Sequence, residues 1–336
     1  MAILLNTFLT VDTEIWPLGA GWPRNPLPKG KTDFSAEFDA CIRGRTALGD
    51  YGIHYQTQLL NAHGLKAVYL VEPFFARVGG MPLLREIVEQ VQHSGHEVGL
   101  HPHTEWLGEI KAPSLPEHYG PVIRGYSQDE QRAIIRYGLE TLYEAGAQPV
   151  MSFRAGSYGA NLDTLSALSA EGIRFDTSYN YPFPDSFPDW SREESLEQPR
   201  RVGDIWEFPV SNFIDYPGHL RHVQLCACSF REMRHTLLQA WREQRHAFVI
   251  VMHSFELVRR KLRRDGMLMV EPNPITIRRF KQLCRFLEAH QDKFLTRGFA
   301  DLDEASIPVG LVRPRLQSTL FNTGLRQIEQ VASTWI

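Results

Sequence analysis

Histidine and carboxylate side chains are concentrated in a few short segments of the 336-residue chain. Asp12 and Glu14 are separated by one residue, and His101, His103 and Glu105 follow the same alternate spacing. Imidazoles and carboxylates are the side chains that bind divalent metal ions and transfer protons near neutral pH. These segments can therefore support metal binding, acid–base catalysis or both.

Three further polar residues, Arg154, Asp176 and His253, each come at the end of an apolar segment elsewhere in the chain. Taken singly, each has an ordinary structural explanation, such as a strand-end acid, a salt-bridged arginine or a hydrogen-bonded core histidine. They form a functional set only if the fold brings them together.

Short, nearly continuous apolar segments alternate with longer amphipathic ones. The apolar segments predict β-strands that are covered on both faces. They are residues 3–11, 66–71, 97–100, 150–153, 173–176, 205–210 and 247–252. The helices predicted between and after them are residues 51–62, 83–93, 129–144, 162–170, 232–242 and 275–290.

This alternation predicts a parallel sheet, and we expect a distorted (β/α) barrel of about seven parallel strands. The candidate residues all follow predicted strands, and active sites of parallel barrels lie at the carboxyl ends of their strands. Residues 16–34 and 180–201 are rich in proline or glycine and predict long loops. We expect a barrel domain over residues 1–304 and a C-terminal extension over 305–336, ending in a short helix from about residue 316.

Composition excludes several classes of function. The chain has 36 Lys+Arg against 39 Asp+Glu, a net charge of -3 that predicts no nucleic-acid partner. No apolar run approaches the ~20 residues of a membrane span, so no integral membrane association is expected. The N-terminus lacks a basic leader, which favours a cytoplasmic protein with four free cysteines. No particular oligomeric state is predicted.

The order Asp12, His101-x-His103, Arg154, Asp176 and His253 at successive strand ends resembles the polysaccharide deacetylase (NodB-homology) family. The resemblance extends from about residue 4 to about residue 299. It is closest to the branch with a Thr-x-Asp-Thr-Glu first motif and a Leu-His-x-His-x-x-Trp second motif, found in bacterial surface-polysaccharide clusters. Each motif is short, but five of them in the family's order form a specific pattern.

The resemblance implies a metal-dependent hydrolase that removes acetyl groups from an N-acetylated sugar or polysaccharide in bacterial surface-polysaccharide biosynthesis. The implied cofactor is one divalent metal ion, with zinc as the expected ion, and the implied partner is the N-acetylated carbohydrate. By the family's pattern, Asp12 takes a proton from water, Arg154 orients Asp12, and His253 protonates the departing amine.

Two positions depart from the family's usual motifs. Thr13 stands where a second acid is usual, so either Glu14 supplies the missing metal ligand or Asp12 binds the metal itself. His101 matches the first histidine of the second motif, but the position four residues later is Glu105. The next ligand is therefore either His103 or Glu105.

Substrate contacts are expected from Tyr158, Asp176 and Trp106. Asp176 either orients His253 or shapes the acetyl pocket, and a backbone N–H near Ser157 or Tyr158 would stabilise an oxyanion. Four tryptophans are candidates either for stacking on sugar rings or for packing in the protein: Trp16, Trp22, Trp106 and Trp190.

Two other functions compete with deacetylation. The first is hydrolysis of a different C–N bond, in a cyclic amide or a formyl-sugar, on the same fold. The second is a non-catalytic carbohydrate-binding protein, which the departures at Thr13 and Glu105 favour. The joint presence of Asp12, Arg154 and His253 argues against loss of activity.

Overall fold

A computed structural model describes residues 4–18, 22–23, 34–118, 120–183, 186–187, 189–190, 195–264 and 266–334. Most of the predicted loop 16–34, and part of the predicted loop 180–201, lie outside the described residues. No helix within the described ranges is both long enough and apolar enough to cross a membrane.

The strands are β1 (Leu5–Thr13), β2 (Arg45–Thr46), β3 (Gly49–Asp50), β4 (Val68–Val71), β5 (Glu97–Leu100), β6 (Ser152–Phe153), β7 (Phe175–Asp176), β8 (Arg200–Val202), β9 (Ile205–Glu207), β10 (Asn212–Tyr216), β11 (His219–His222), β12 (Ala247–His253), β13 (Val258–Leu262), β14 (Leu268–Pro272), β15 (Phe294–Thr296) and β16 (Leu316–Gln317). The helices are α1 (Phe34–Phe38), α2 (Ile53–Ala62), α3 (Ala76–Gly79), α4 (Met81–His93), α5 (Gln128–Glu144), α6 (Leu162–Ala170), α7 (Phe230–Arg242), α8 (Pro274–Glu288) and α9 (Leu320–Thr334). The described residues also form a π-helix over Asp39–Arg43. Their short 3₁₀ segments are Thr104–Glu109, Ile123–Gly125, Gly156–Tyr158 and Glu304–Ser306.

The principal sheet is curled and mostly parallel, with strand order β12-β1-β4-β5-β6-β7-β9-β8 and with β15 also paired to β1. Its seven consecutive parallel strands from β12 to β9 are the seven that the sequence predicts. Beyond them, β15 pairs in parallel with the start of β1, and β8 is antiparallel to β9. The predicted distorted α/β barrel is confirmed in this form.

Side-chain alternation along β1 separates two faces of the sheet. Leu9 and Val11 pack with the surrounding helices, whereas Phe8 joins a second cluster within the curve of the sheet. Phe8 stacks on Phe299 with ring centroids 4.4 Å apart and meets the edge of Phe208 at 5.3 Å. Asp12 lies on the same face as Phe8, four residues towards the carboxyl end, so the apolar cluster forms the floor beneath the polar strand ends.

The chain beyond residue 304 is joined to the rest of the protein by a strand and a helix. β16 pairs in parallel with β10, which also forms a hairpin with β11. α9 begins at Leu320, four residues after the predicted start, because residues 316 and 317 belong to that strand. The hairpins β10–β11 and β13–β14 were not predicted, because they do not show the strand–helix alternation of the barrel.

Candidate active site

Asp12 and His253 face each other across the first pair of strands. They are register partners in the parallel pairing of β1 with β12. Nε2 of His253 lies 3.9 Å from Oδ2 of Asp12, and the Asp12 side chain is almost fully buried. The parallel pairing thus places a carboxylate and an imidazole, which are 241 positions apart in the chain, at the same end of the barrel.

Arg154, which follows β6, is fully buried behind Asp12. Its Nη1 donates to Oδ1 of Asp12 at 2.6 Å, and its Nη2 donates to the Thr10 hydroxyl at 2.9 Å. Its Nε donates to the backbone oxygen of Thr177 at 3.0 Å. These three contacts fix the buried guanidinium, which in turn fixes the Asp12 carboxylate. Loss of that carboxylate would leave the positive charge of Arg154 uncompensated.

Glu14, His101 and His103 form a cluster in which one ligand atom from each residue lies within 4.8 Å of the other two. Oε2 of Glu14 is 2.7 Å from Nε2 of His103 and 3.3 Å from Nε2 of His101. All three side chains are buried. Glu14 is the first residue after β1, and both histidines follow β5.

The second nitrogen of each histidine is already engaged. Nδ1 of His101 donates to the backbone oxygen of Arg154 at 2.8 Å, and Nδ1 of His103 lies 3.1 Å from Oε2 of Glu105. These contacts orient both rings with Nε2 towards Glu14. Two imidazole nitrogens and one carboxylate oxygen are an ordinary zinc donor set, and partners on the far nitrogen are usual for metal-binding histidines. The residues present therefore fit a divalent metal ion.

Electrostatic effects within this cluster favour the charged forms. Burial opposes ionisation of Glu14, but the charge of His103 and hydrogen bonds from both histidines hold the pKa of Glu14 well below its usual value. Burial also opposes protonation of His103, yet Glu14 and Glu105 raise the His103 pKa well above its usual value. The carboxylates thus make this buried position attractive to positive charge.

The structure separates the residues predicted around the metal. Glu14, His101 and His103 converge, whereas Glu105 contacts the opposite side of the His103 ring and Asp12 is paired with Arg154. Of the alternatives that the sequence leaves open, this arrangement supports Glu14 over Asp12 and His103 over Glu105 as ligands.

Two polar neighbours of His253 were missed by the sequence analysis. Oε1 of Glu256 lies 3.0 Å from Nδ1 of His253, and Nε2 of Gln224 lies 3.2 Å from the same nitrogen. Burial opposes protonation of His253, but Glu256 and Asp12 outweigh it and raise its pKa to about 9. The spacing of Glu256, three residues after the histidine in a turn, is the signal that could have identified it.

Asp176, predicted to orient His253 or to shape the acetyl pocket, is instead fully buried beside Glu207. It accepts a hydrogen bond from the Ser178 hydroxyl at 2.5 Å, and that hydroxyl accepts one from the Ala155 backbone N–H at 2.9 Å. Burial and the neighbouring acid raise the pKa of Glu207 well above its usual value. The carboxylate next to His253 is Glu256, so Asp176 supports the loop after β6 rather than the histidine.

The loop Ala155–Tyr158 forms one wall of the site in a restricted conformation. Ser157 and Tyr158 both have left-handed backbone geometry, with φ of 53° and 55°, which is uncommon for residues other than glycine. A Cβ atom on Gly156 would lie 2.8 Å from Nδ1 of His103, so only glycine fits there. The Tyr158 N–H donates to the Ala155 oxygen, which leaves the Ser157 N–H as the better of the two predicted oxyanion donors.

These groups open into one cavity of about 340 Å³, lined by Asp12, Glu14, Trp16, His101, His103, Ala155, Ser157, Tyr158, Phe183, Gln224 and His253. Trp16 and Phe183 supply aromatic surface at the cavity. Trp106, predicted to contact substrate, is instead fully buried against Trp22, with ring centroids 4.7 Å apart. Its indole therefore supports the wall of the site and offers no face to a sugar.

No protein-family model matches the sequence, and no curated protein matches it. Among solved structures, a candidate polysaccharide deacetylase from Mycobacterium smegmatis matches with a TM-score of 0.57 at 18% identity, covering 94% of this chain and 96% of that one. A family 4 carbohydrate esterase from Streptomyces lividans, solved with acetate, matches with a TM-score of 0.35 at 12% identity, over 84% and 88% of the chains. A CE4 family pseudoenzyme from Bacillus anthracis matches with a TM-score of 0.38 at 10% identity, over 88% and 64%. The first likeness shows that this chain shares the fold of the mycobacterial protein.

Proposed function

We propose that this protein is a metal-dependent deacetylase of N-acetylated sugars or polysaccharides, of the kind used in bacterial surface-polysaccharide biosynthesis. One observation carries the proposal: a carboxylate, an imidazole and a three-residue metal-binding cluster open into the same cavity. The name of the mycobacterial protein, which shares the fold, is consistent with this function.

Glu14, His101 and His103 would hold the metal ion. A divalent ion bound there would polarise the acetyl carbonyl and make water easier to deprotonate. His101 and His103 are pre-oriented for this by the Arg154 backbone oxygen and by Glu105, respectively. Zinc is the expected ion for this donor set.

Asp12 would accept the proton of the attacking water, because Arg154 holds one of its oxygens and leaves the other towards His253. The water oxygen adds to the carbonyl carbon of the amide, and the N–H of Ser157 would donate to the resulting oxyanion. His253, which Glu256 and Asp12 keep protonated near neutral pH, would donate its proton to the nitrogen as the C–N bond breaks. The products are acetate and a free amino sugar.

The departures from the family's motifs do not argue for a non-catalytic protein. Glu14 places a carboxylate oxygen beside both histidines, although Thr13 occupies the usual position of the second acid. Glu105 replaces a histidine, but it supports His103 from behind. The arrangement thus supports three candidate metal ligands, a candidate base and a candidate acid.

The test is acetate release from a panel of N-acetylated oligosaccharides by protein that is metal-free or reconstituted with zinc. We expect one zinc per chain and turnover only in the reconstituted protein, with His101→Ala losing both. Full activity of the metal-free protein would contradict the metal dependence. Release of formate, or opening of a cyclic amide, with no acetate release would favour the other C–N bond hydrolases.

A further inference from the structure

α9 has three large apolar side chains in solvent and two polar side chains inside the protein. Leu320, Phe321 and Ile328 have 67%, 69% and 66% of their surface exposed. Thr323 and Arg326, on the other side of the same helix, are buried. An amphipathic surface helix normally has the opposite orientation.

Buried ion pairs fix this orientation. Arg326 donates from Nε to Glu232 at 3.0 Å and from Nη2 to Asp215 at 2.9 Å, and all three side chains are buried. The Thr323 hydroxyl donates to the Asp215 backbone oxygen at 2.8 Å. Rotating α9 to bury its apolar face would leave Glu232 and Asp215 without that cation. The buried ion pairs therefore hold the apolar face of α9 in solvent.

The three exposed apolar residues, here called the apolar strip, lie on one side of the helix. Phe321 and Ile328 are seven residues apart and therefore lie on the same side of the helix, with Leu320 next to them. Gly324, between them, has open space where a side chain would be. Exposed large apolar side chains that share one face indicate an interaction site on a protein or a membrane.

A group of arginines lies beside α9. Arg231 and Arg234 from α7 line a cavity of about 220 Å³ together with Asn322 of α9. The same two arginines and Arg278 line a neighbouring cavity of about 360 Å³ with Glu329 of α9. Glu329 is already paired with Arg278 and Arg279, at 3.0 Å and 2.9 Å. This edge of the protein is therefore positively charged, although the whole chain carries a net charge of -3.

We propose that α9 and these arginines dock the protein on the surface of an anionic lipid bilayer. Leu320, Phe321 and Ile328 would enter the boundary between headgroups and acyl chains, and Arg231 and Arg234 would pair with lipid phosphates, as in interfacial helices of peripheral proteins. A second copy of the chain fits less well, because a two-fold contact through α9 would bring the same arginines close to one another. This proposal is independent of the deacetylase function.

The test is co-sedimentation of the full chain with vesicles of phosphatidylcholine alone, or of equal parts phosphatidylcholine and phosphatidylglycerol. We expect binding to the phosphatidylglycerol vesicles, weakening as salt rises because the charges are screened. Phe321→Ser with Ile328→Ser should weaken binding by about tenfold or more, through the lost apolar anchor. Arg231→Gln with Arg234→Gln should weaken it by roughly tenfold.

The matched controls are Leu48→Ser, at an apolar residue that is 78% exposed in the β2–β3 turn, and Arg85→Gln on α4, which should leave binding unchanged. Unchanged melting temperatures would show that the surface variants fold. The proposal is overturned if the wild type does not bind, if it binds neutral vesicles equally, or if the Phe321/Ile328 variant binds normally. It is also overturned if sedimentation velocity shows a dimer that this variant converts to a monomer.

Discussion

The carboxylate of Glu105 and the carboxylate of Glu14 contact opposite nitrogens of the same imidazole, that of His103. Glu105 lies 3.1 Å from Nδ1, and Glu14 lies 2.7 Å from Nε2. To bind a metal ion through Nε2, His103 must give up the proton on that nitrogen. The neutral imidazole then has a single N–H, and its donation from Nδ1 to Glu105 leaves the lone pair of Nε2 free for the cation. Glu105 would thereby determine which nitrogen is available to a bound metal ion.

Removing the Glu105 carboxylate should therefore weaken metal binding without abolishing it. We expect Glu105→Ala to bind zinc about 10- to 100-fold more weakly, because the His103 ring loses its orienting partner. His103→Ala should lose stoichiometric binding altogether. Competition with a chromophoric chelator measures both, with the exposed Glu117→Ala as a control. If Glu105→Ala abolishes binding as His103→Ala does, Glu105 is itself a ligand.

Asp12 and Glu14 should respond differently to neutralisation. Asp12→Asn should keep its metal and lose turnover by ~10²–10⁴-fold, the usual range for a general base. Glu14→Gln should lose metal affinity first, and its activity should recover partly at high metal concentration. Metal titration of both variants, followed by acetate release, distinguishes the roles.

Stability must be measured alongside the Asp12 variant. Arg154 is fully buried and Asp12 supplies its paired charge, so Asp12→Asn should cost ~3–5 kcal/mol of unfolding free energy. Turnover is therefore expressed per folded molecule. A metal-free Asp12→Asn beside a metal-replete Glu14→Gln would mean that the two assignments are reversed.

Glu256 should control the pH range of activity through His253. The pKa of His253 is raised to about 9, and an acid catalyst loses its proton as pH rises through its pKa. We expect wild-type turnover to fall above about pH 9, and Glu256→Gln to move that fall to lower pH because a carboxylate charge is lost. The exposed Glu271→Gln is the control. Coincident pH–rate profiles for all three proteins would contradict the role of Glu256.

The same pKa has a consequence for folding. The folded-state pKa of His253 is higher than the ordinary value of 6.5, so protonation favours the folded state. This contribution is fully present below about pH 6.5 and is lost as pH rises through about 9. The pH dependence of unfolding free energy over that interval should therefore be smaller in Glu256→Gln.

The acid role of His253 can be separated from a structural role by changing the leaving group. His253→Ala should fold, bind metal normally and lose ~10²–10⁴-fold turnover on an amide. Its turnover on an activated acetyl ester should fall less, because a good leaving group departs without a proton. Equal losses on the two substrates would contradict the acid role, and a lower melting temperature with preserved activity would indicate a core histidine.

Arg326 should hold the C-terminal extension on the barrel domain. Arg326→Met removes the cation shared by the buried Asp215 and Glu232. Asp215 keeps its ion pair with Arg221, so the cost falls mainly on Glu232, and we expect a loss of ~3–5 kcal/mol in unfolding free energy. Acetate release per folded molecule should be preserved, because the pair lies outside the catalytic cavity. The exposed Arg278→Met, with Glu329 still paired to Arg279, should cost less than about 1 kcal/mol.

The barrel was predictable from sequence because its strands are short, apolar and regularly separated by amphipathic helices. The prediction for residues 97–100 coincides with β5, and that for residues 162–170 coincides with α6. The strand ends could likewise be identified from polar residues that follow apolar ones. These signals are local in the sequence. The parallel topology then places the polar residues that follow each strand at the same end of the barrel.

The partners of each candidate catalytic side chain were not predictable in the same way. That Glu256 rather than Asp176 lies beside His253 depends on how the turn after β12 folds back. That Trp106 is buried whereas Trp16 lines the cavity depends on packing against Trp22, which is distant in sequence from Trp106. Contacts of this kind are set by tertiary packing and leave no periodic pattern in the chain.

The pairing of β1 with β12 aligns Asp12 with His253 through a ladder of backbone hydrogen bonds. The spacing between the proposed proton acceptor and the proposed proton donor is thus set by the pairing of two strands. We therefore expect differences in substrate preference to arise from the walls of the cavity, which Trp16, Tyr158 and Phe183 line. An engineer who wishes to change the sugar that is accepted should therefore randomise the walls and leave both strands untouched.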